Sequence, residues 1–114
     1  MRDQERVLYA YKQVAGVQDC RDDYEIALQT FTGTLVRSGL AAAMAALERI
    51  RKREGTKLLL DHLAGAGIPG LEGTAGQRLA GKVRELDLDG YMLATREMFR
   101  LAAWFRRAVQ AEFE

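Results

Sequence analysis

The sequence predicts an all-α fold, and three observations carry that prediction. Alanine, leucine and arginine, all good helix formers, dominate the composition. Proline occurs once and β-branched residues are scarce, so little favours strands. Apolar residues recur at i, i+3, i+4 and i+7 in successive segments, the spacing of a helix with one buried face. With 114 residues, 48% of them apolar, the chain is long enough to bury a core unaided. The expectation is a compact single-domain bundle of about six helices over residues 1–114, ending in a long C-terminal helix.

The elements follow in order. Gln4 to Val17 reads as a first helix with Val7, Leu8, Tyr11, Val14 and Ala15 inward. Asp22-x-x-Glu25 resembles a capping box opening a second helix, whose core face is Tyr24, Ala27, Leu28, Phe31 and Leu35. Arg37-Ser38-Gly39 ends it, glycine supplying the turn and serine the next cap. A third helix from Leu40 to Arg53 turns Leu40, Ala43, Met44, Leu47 and Ile50 inward, and its alanine-clad flanks suit a central position. Gly55-Thr56 marks a stop and restart before a short fourth helix to Ala64 through Leu58, Leu59 and Leu63. Gly65 to Gly73 holds four of the eleven glycines and the only proline, which makes it the loose segment. Thr74-x-x-Gln77 reads as a capping box for a fifth helix to about Leu86, and Asp87 and Asp89 suit the start of a sixth.

That last helix, Tyr91 to Glu114, is the most informative stretch. At about 100° per residue, Tyr91, Ala94, Met98, Leu101, Ala102, Phe105, Ala108 and Val109 share one side. Arg96, Arg100 and Arg107 stand in register on the other, where Glu97 can reach Arg100 and nothing on the helix pairs as well with Arg107. Trp104 and Phe99 fall toward the edge of the apolar face, placed to pack inward or to meet a partner protein.

The net charge of +1 announces no polyanion partner, but the distribution is uneven. Glu48 to Lys57 holds five basic residues against two acids, and Asp19 to Glu25 four acids against one arginine. Thirteen of the seventeen basic residues are arginine, a preference that suits phosphate or carboxylate recognition and equally follows from GC-rich or thermophilic coding. Arg96, Arg100 and Arg107, with Arg49, Lys52, Arg53 and Lys57, are therefore candidates to track phosphates along a nucleic-acid strand. A solvated helix face is the alternative.

Chemistry-bearing motifs are few. Gly65-Ala66-Gly67-Ile68-Pro69-Gly70 fits G-x-G-x-x-G, but a leucine-rich helix precedes it and no strand does. Gly76 to Val83 approaches the phosphate-loop pattern but has valine where the magnesium-binding hydroxyl belongs. His62 is the only histidine and Cys20 the only cysteine, too few for a zinc site or an intrachain disulfide. His62 beside Asp61 suits the surface of a short helix. The expectation is no enzyme, no metal, no cofactor and no small-molecule substrate. The N-terminus MRDQERV lacks a secretory apolar core, and the longest apolar run, Leu40 to Leu47, is far short of a membrane span; a cytoplasmic protein without membrane contact is expected.

Several residues together resemble a known family. Tyr91-x-x-Ala94-Thr95-Arg96-Glu97 and Trp104-Phe105-Arg106-Arg107 are similar to the C-terminal helix of the small α-helical subunit of the type III-B CRISPR (Cmr) effector complex. Arg6 and Tyr11, the Arg37-Ser38-Gly39-Leu40 turn, the alanine-rich Ala41 to Leu47, and Leu58-Leu59-Leu60-x-His62-Leu63 extend the likeness over nearly the whole chain. Ser38 stands where that family often has asparagine, and the Gly65 to Gly73 loop looks idiosyncratic, so no function is carried onto it. The resemblance implies a non-catalytic helical bundle, present in several copies, stacking as a filament beside the backbone subunits that hold guide RNA. Its partners would be those backbone subunits, the large subunit, further copies of itself, guide RNA and target RNA. The small subunit of a type III-A or type I complex, or a helical protein-binding adaptor without RNA contact, remains the alternative.

Overall fold

The computed structural model describes residues 3–113; Met1, Arg2 and Glu114, at the ends of the expected N-terminal segment and final helix, lie outside the described residues. Among the described residues six α-helices form: α1 Asp3–Ala15, α2 Arg21–Ser38, α3 Leu40–Arg49, α4 Glu54–Ala64, α5 Leu79–Glu85 and α6 Leu88–Phe113, with a 3₁₀ turn at Gly76–Arg78 before α5. Among the described residues there is no strand. The all-α expectation and the long terminal helix are borne out.

At 1.5 Å per residue, the 26 residues of α6 span about 39 Å, the molecule's longest dimension of 39 Å. Its buried face is the expected one, from Ala94 through Met98, Leu101, Ala102, Phe105 and Ala108 to Val109, with Tyr91 half-buried. α1 packs most extensively against α6, and α2 packs against it as well. The expected α2 core face, Tyr24, Ala27, Leu28, Phe31 and Leu35, is also the buried one. α3 is central as expected, packing against α2, α5 and α6, and α2 is equally so, packing against α3, α4 and α6.

Other expectations are corrected. In α1 the buried face is Arg6, Ala10 and Val14, while Leu8 is 71% exposed and Ala15 is also at the surface. The helix is rotated because Arg6 finds an acid inside: its Nη1 lies 2.7 Å from Glu97 Oε1 on α6. Neither capping box forms. Cys20 precedes α2 and Ala75 the 3₁₀ turn, each without a side-chain cap bond. Ser38 ends α2 instead of capping α3; Gly39, at φ 89°, is the N-cap. The hydroxyl of Tyr91 serves there instead, accepting the Ala41 N–H at 2.9 Å and so satisfying one of the free donors of the helix start. Asp87 does cap α6, its Oδ1 accepting the Gly90 N–H at 2.7 Å.

α3 stops at Arg49, so Arg51, Lys52 and Arg53 ride on a turn rather than on a helix face. Gly55 is not a stop. It is buried in the first turn of α4, where a β-carbon would run into the backbone of Asp23 and Tyr24, so its role is close helix approach. The glycine-rich loop is not loose either: Ala66, Ile68 and Leu71 are buried in the core. His62 is buried rather than superficial. Its Nδ1 is 2.7 Å from the Tyr24 hydroxyl, and its carbonyl accepts the Tyr9 hydroxyl at 2.6 Å. Burial pushes its pKa down to about 4, against a smaller upward pull from Asp61, so the imidazole is neutral at ordinary pH.

Candidate nucleic-acid interface

The candidate cations fall into two groups, each placed by different local physics. The first stands on α6. Because the apolar stripe is fully engaged below, helical periodicity carries Arg96, Arg100 and Arg107 outward, and all three are exposed. Arg96 makes no ion pair within 4 Å among the described residues. Arg100 Nη1 lies 3.6 Å from Glu97 Oε2, but Glu97 already takes Arg6 through its other oxygen. The Arg6 hydrogen bond is the main force holding the Glu97 carboxyl below the usual range, ahead of Arg100 and Arg96. Arg107 rests on the Trp104 ring, its guanidinium carbon 5.0 Å from the centroid, a cation–π contact that leaves its charge unneutralised.

Phe99, 42% exposed, and Met92 flank Arg96 and Arg100 along a shallow open groove. Trp104 is half-buried against the core edge. The outer face of α6 is thus mixed: guanidinium groups alternate with apolar side chains.

The second group lies where α3 gives way to α4. Lys52 and Lys57 line a cleft with Arg51, which sequence spacing alone did not single out. Arg53 turns elsewhere and pairs with Asp23 at 3.1 Å, an exposed contact of little energetic weight. Arg49 is exposed in the last turn of α3, where a cation complements the helix dipole. The α6 groove and this cleft have no lining residue in common. A further groove, between α2 and α6, brings Arg37 and Arg106 together around Thr32 and Val36. Sequence reasoning missed it because the two arginines are far apart in the chain.

Among the described residues no three His, Cys, Asp or Glu side chains assemble as a metal-holding group, and no helix is long and apolar enough to cross a membrane.

Comparison with known proteins bears on this arrangement. Among curated proteins no sequence matches the chain. The crystal structure of a CRISPR-associated Cmr5 family protein from Thermus thermophilus superposes with a TM-score of 0.83 at 29% identity, covering 100% of this chain and 99% of that one. The family model for the CRISPR-associated protein Cas_Cmr5 matches residues 2–112. The resemblance seen in the sequence is thereby borne out, and the chain belongs to the CRISPR-associated Cmr5 family.

Proposed function

We propose that this chain is a non-catalytic small subunit of a type III-B (Cmr) effector complex in the cytoplasm, acting in antiviral defence as one domain. In this reading it stacks in several copies beside the subunits that hold the guide, and steadies the guide–target RNA duplex through basic side chains. The observation that carries it is the outer face of α6, where Arg96, Arg100 and Arg107 are exposed and, among the described residues, only Arg100 has a carboxylate within 4 Å, one already shared with Arg6. Such groups attract phosphates without reading sequence. None is needed to read it, because base pairing supplies specificity in RNA-guided systems. Arg49, Lys52, Arg53 and Lys57 would add a second set of phosphate contacts, Arg53 after release from Asp23.

Met92 and Phe99 favour a second use of the same face. An exposed aromatic flanked by arginines is the composition of a protein contact, so Phe99 and Trp104 would seat a neighbouring subunit at the edge of the RNA path.

Photocrosslinking of RNA within the assembled complex, with crosslinked peptides identified by mass spectrometry, tests the reading. Crosslinks on α6 between Arg96 and Arg107 are expected. RNA crosslinked to the other subunits but nowhere on this chain would favour a helical adaptor that meets only protein.

A further inference from the structure

The cleft between the end of α3, the outer side of α4 and the corner leading into α5 is separate from the α6 groove, and its construction is specific. Its volume is about 470 Å³, within the roughly 300–1,000 Å³ of small-molecule sites. Its floor is apolar, made by Leu60 of α4 and Ala80 of α5. One wall is the backbone at Ala75 and Gly76. Gly76 permits that wall to lie against α4, since a β-carbon there would come within 2.9 Å of the Leu60 carbonyl carbon and 2.8 Å of the Asp61 nitrogen.

The opposite rim is cationic. Arg51, Lys52 and Lys57 all face the cleft, and none makes an ion pair within 4 Å among the described residues. Two acids also border it, Glu48 and Asp61. Glu48 is partly satisfied by Arg84 at 3.4 Å, so the balance remains positive. Gln77 adds an amide with both donor and acceptor at the same mouth.

We infer that this cleft holds a single nucleotide, its base laid on the Leu60–Ala80 floor beside the Gln77 amide and its phosphate among Arg51, Lys52 and Lys57. An apolar floor suits the face of a base, which is poorly hydrated. A lysine pair with an arginine suits a phosphate, whose charge three mobile donors can surround. A bare phosphate would leave the floor unused, and an uncharged ligand would leave the cations unused. The inference deepens the RNA-binding reading by assigning the second cation group a unit of RNA, either a free nucleotide or one residue of a bound strand turned out of its stack.

Titration of the ¹⁵N-labelled full chain tests it, with nucleoside 5′-monophosphates, a short single-stranded oligoribonucleotide and inorganic phosphate as separate probes. Saturable shifts at the amides of Lys57, Leu60, Gln77 and Ala80 are expected with a nucleotide or with the oligomer. A response to the mononucleotide marks a free ligand, and a response to the oligomer alone marks a strand residue. Two variants locate the site. Ala75→Phe fills the cleft from an exposed position without removing charge. Lys52→Ala with Lys57→Ala removes two phosphate partners, and should weaken binding about tenfold or more. Both should retain the native helical circular dichroism.

Equal affinity for inorganic phosphate and nucleotide would overturn the inference, because the floor would then contribute nothing. So would unchanged nucleotide binding in either folded variant, or no shift with any probe. The α6 reading stands apart: a chain with Arg96, Arg100 and Arg107 all replaced by alanine should keep its nucleotide shifts. If wild type shows none while those α6 replacements still weaken RNA binding in the complex, this inference falls and the broader reading stands.

Discussion

Glu97 faces two arginines, and their situations differ in every respect but residue type. Arg6 reaches it from α1 across 91 residues of sequence, with a side chain 2% exposed and a contact of 2.7 Å. Arg100 reaches it from three residues along the same helix, with a side chain 54% exposed and a contact of 3.6 Å. The inner pair fastens α1 to α6. The outer contact is screened by water and competes weakly for a group already occupied. Burial, not the identity of the side chain, decides which arginine builds the bundle and which is available to a partner.

The sharpest way to break that contrast is Arg6→Ala. Removing one member of a buried pair leaves the other's charge without compensation and costs about 3–5 kcal/mol. Because Glu97 keeps some exposure, about 3 kcal/mol is expected, read as a lowered urea midpoint at constant m-value. A double replacement, Arg6→Met with Glu97→Leu, should recover most of it. Next comes Gly55→Ala, which presses a methyl into the α2 backbone at Asp23 and Tyr24. A loss of about 2 kcal/mol is expected, within the range for overpacking, and thermal unfolding would register it.

A smaller effect depends on pH. His62 has its pKa pushed down to about 4 in the fold, against 6.5 for a free imidazole. Between those values the unfolded chain binds the extra proton, so stability is full above about pH 6.5 and declines as pH falls towards 4. The slope is at most about 1.4 kcal/mol per pH unit, and His62→Phe should remove it from urea melts across that window. Glu97, held low by Arg6, adds a further loss as pH falls through the ordinary carboxylate range and below. The smallest effect is Arg100→Ala, expected to change stability by less than about 0.5 kcal/mol. A loss as large as that of Arg6→Ala would erase the contrast between the two arginines.

What the sequence revealed follows the same division. The faces of α2 and α6 were legible because long runs of apolar residues repeat at helical spacing, and no tertiary contact needed to be known. The face of α1 was not, because Arg6 is turned inward by a partner on another helix, and Leu8 is left at the surface. Capping failed for a related reason. Thr74 and Asp22 lie in patterns that match capping boxes without capping anything, while one donor at the start of α3, the Ala41 N–H, is met by Tyr91, fifty residues away. Gly55 looked like a chain breaker because its spacing from α2 is visible only in three dimensions. At the candidate interface, the exposure of Arg96, Arg100 and Arg107 was legible from the wheel of α6. The gathering of Arg51, Lys52 and Lys57 around one cleft was not, since it depends on where α3 stops.

The central claim is that the outer arginines of α6 meet RNA phosphates, and the salt dependence of target binding by the assembled complex tests it most directly. Each phosphate contact contributes about 0.7 to 0.9 to the slope of log K against log salt, from single strand to duplex. Replacing Arg96, Arg100 and Arg107 together by alanine should therefore flatten that slope by about 2 to 3 units, evenly across target sequences, while the complex still assembles. An unchanged slope in the assembled triple variant would remove these three side chains from the RNA path.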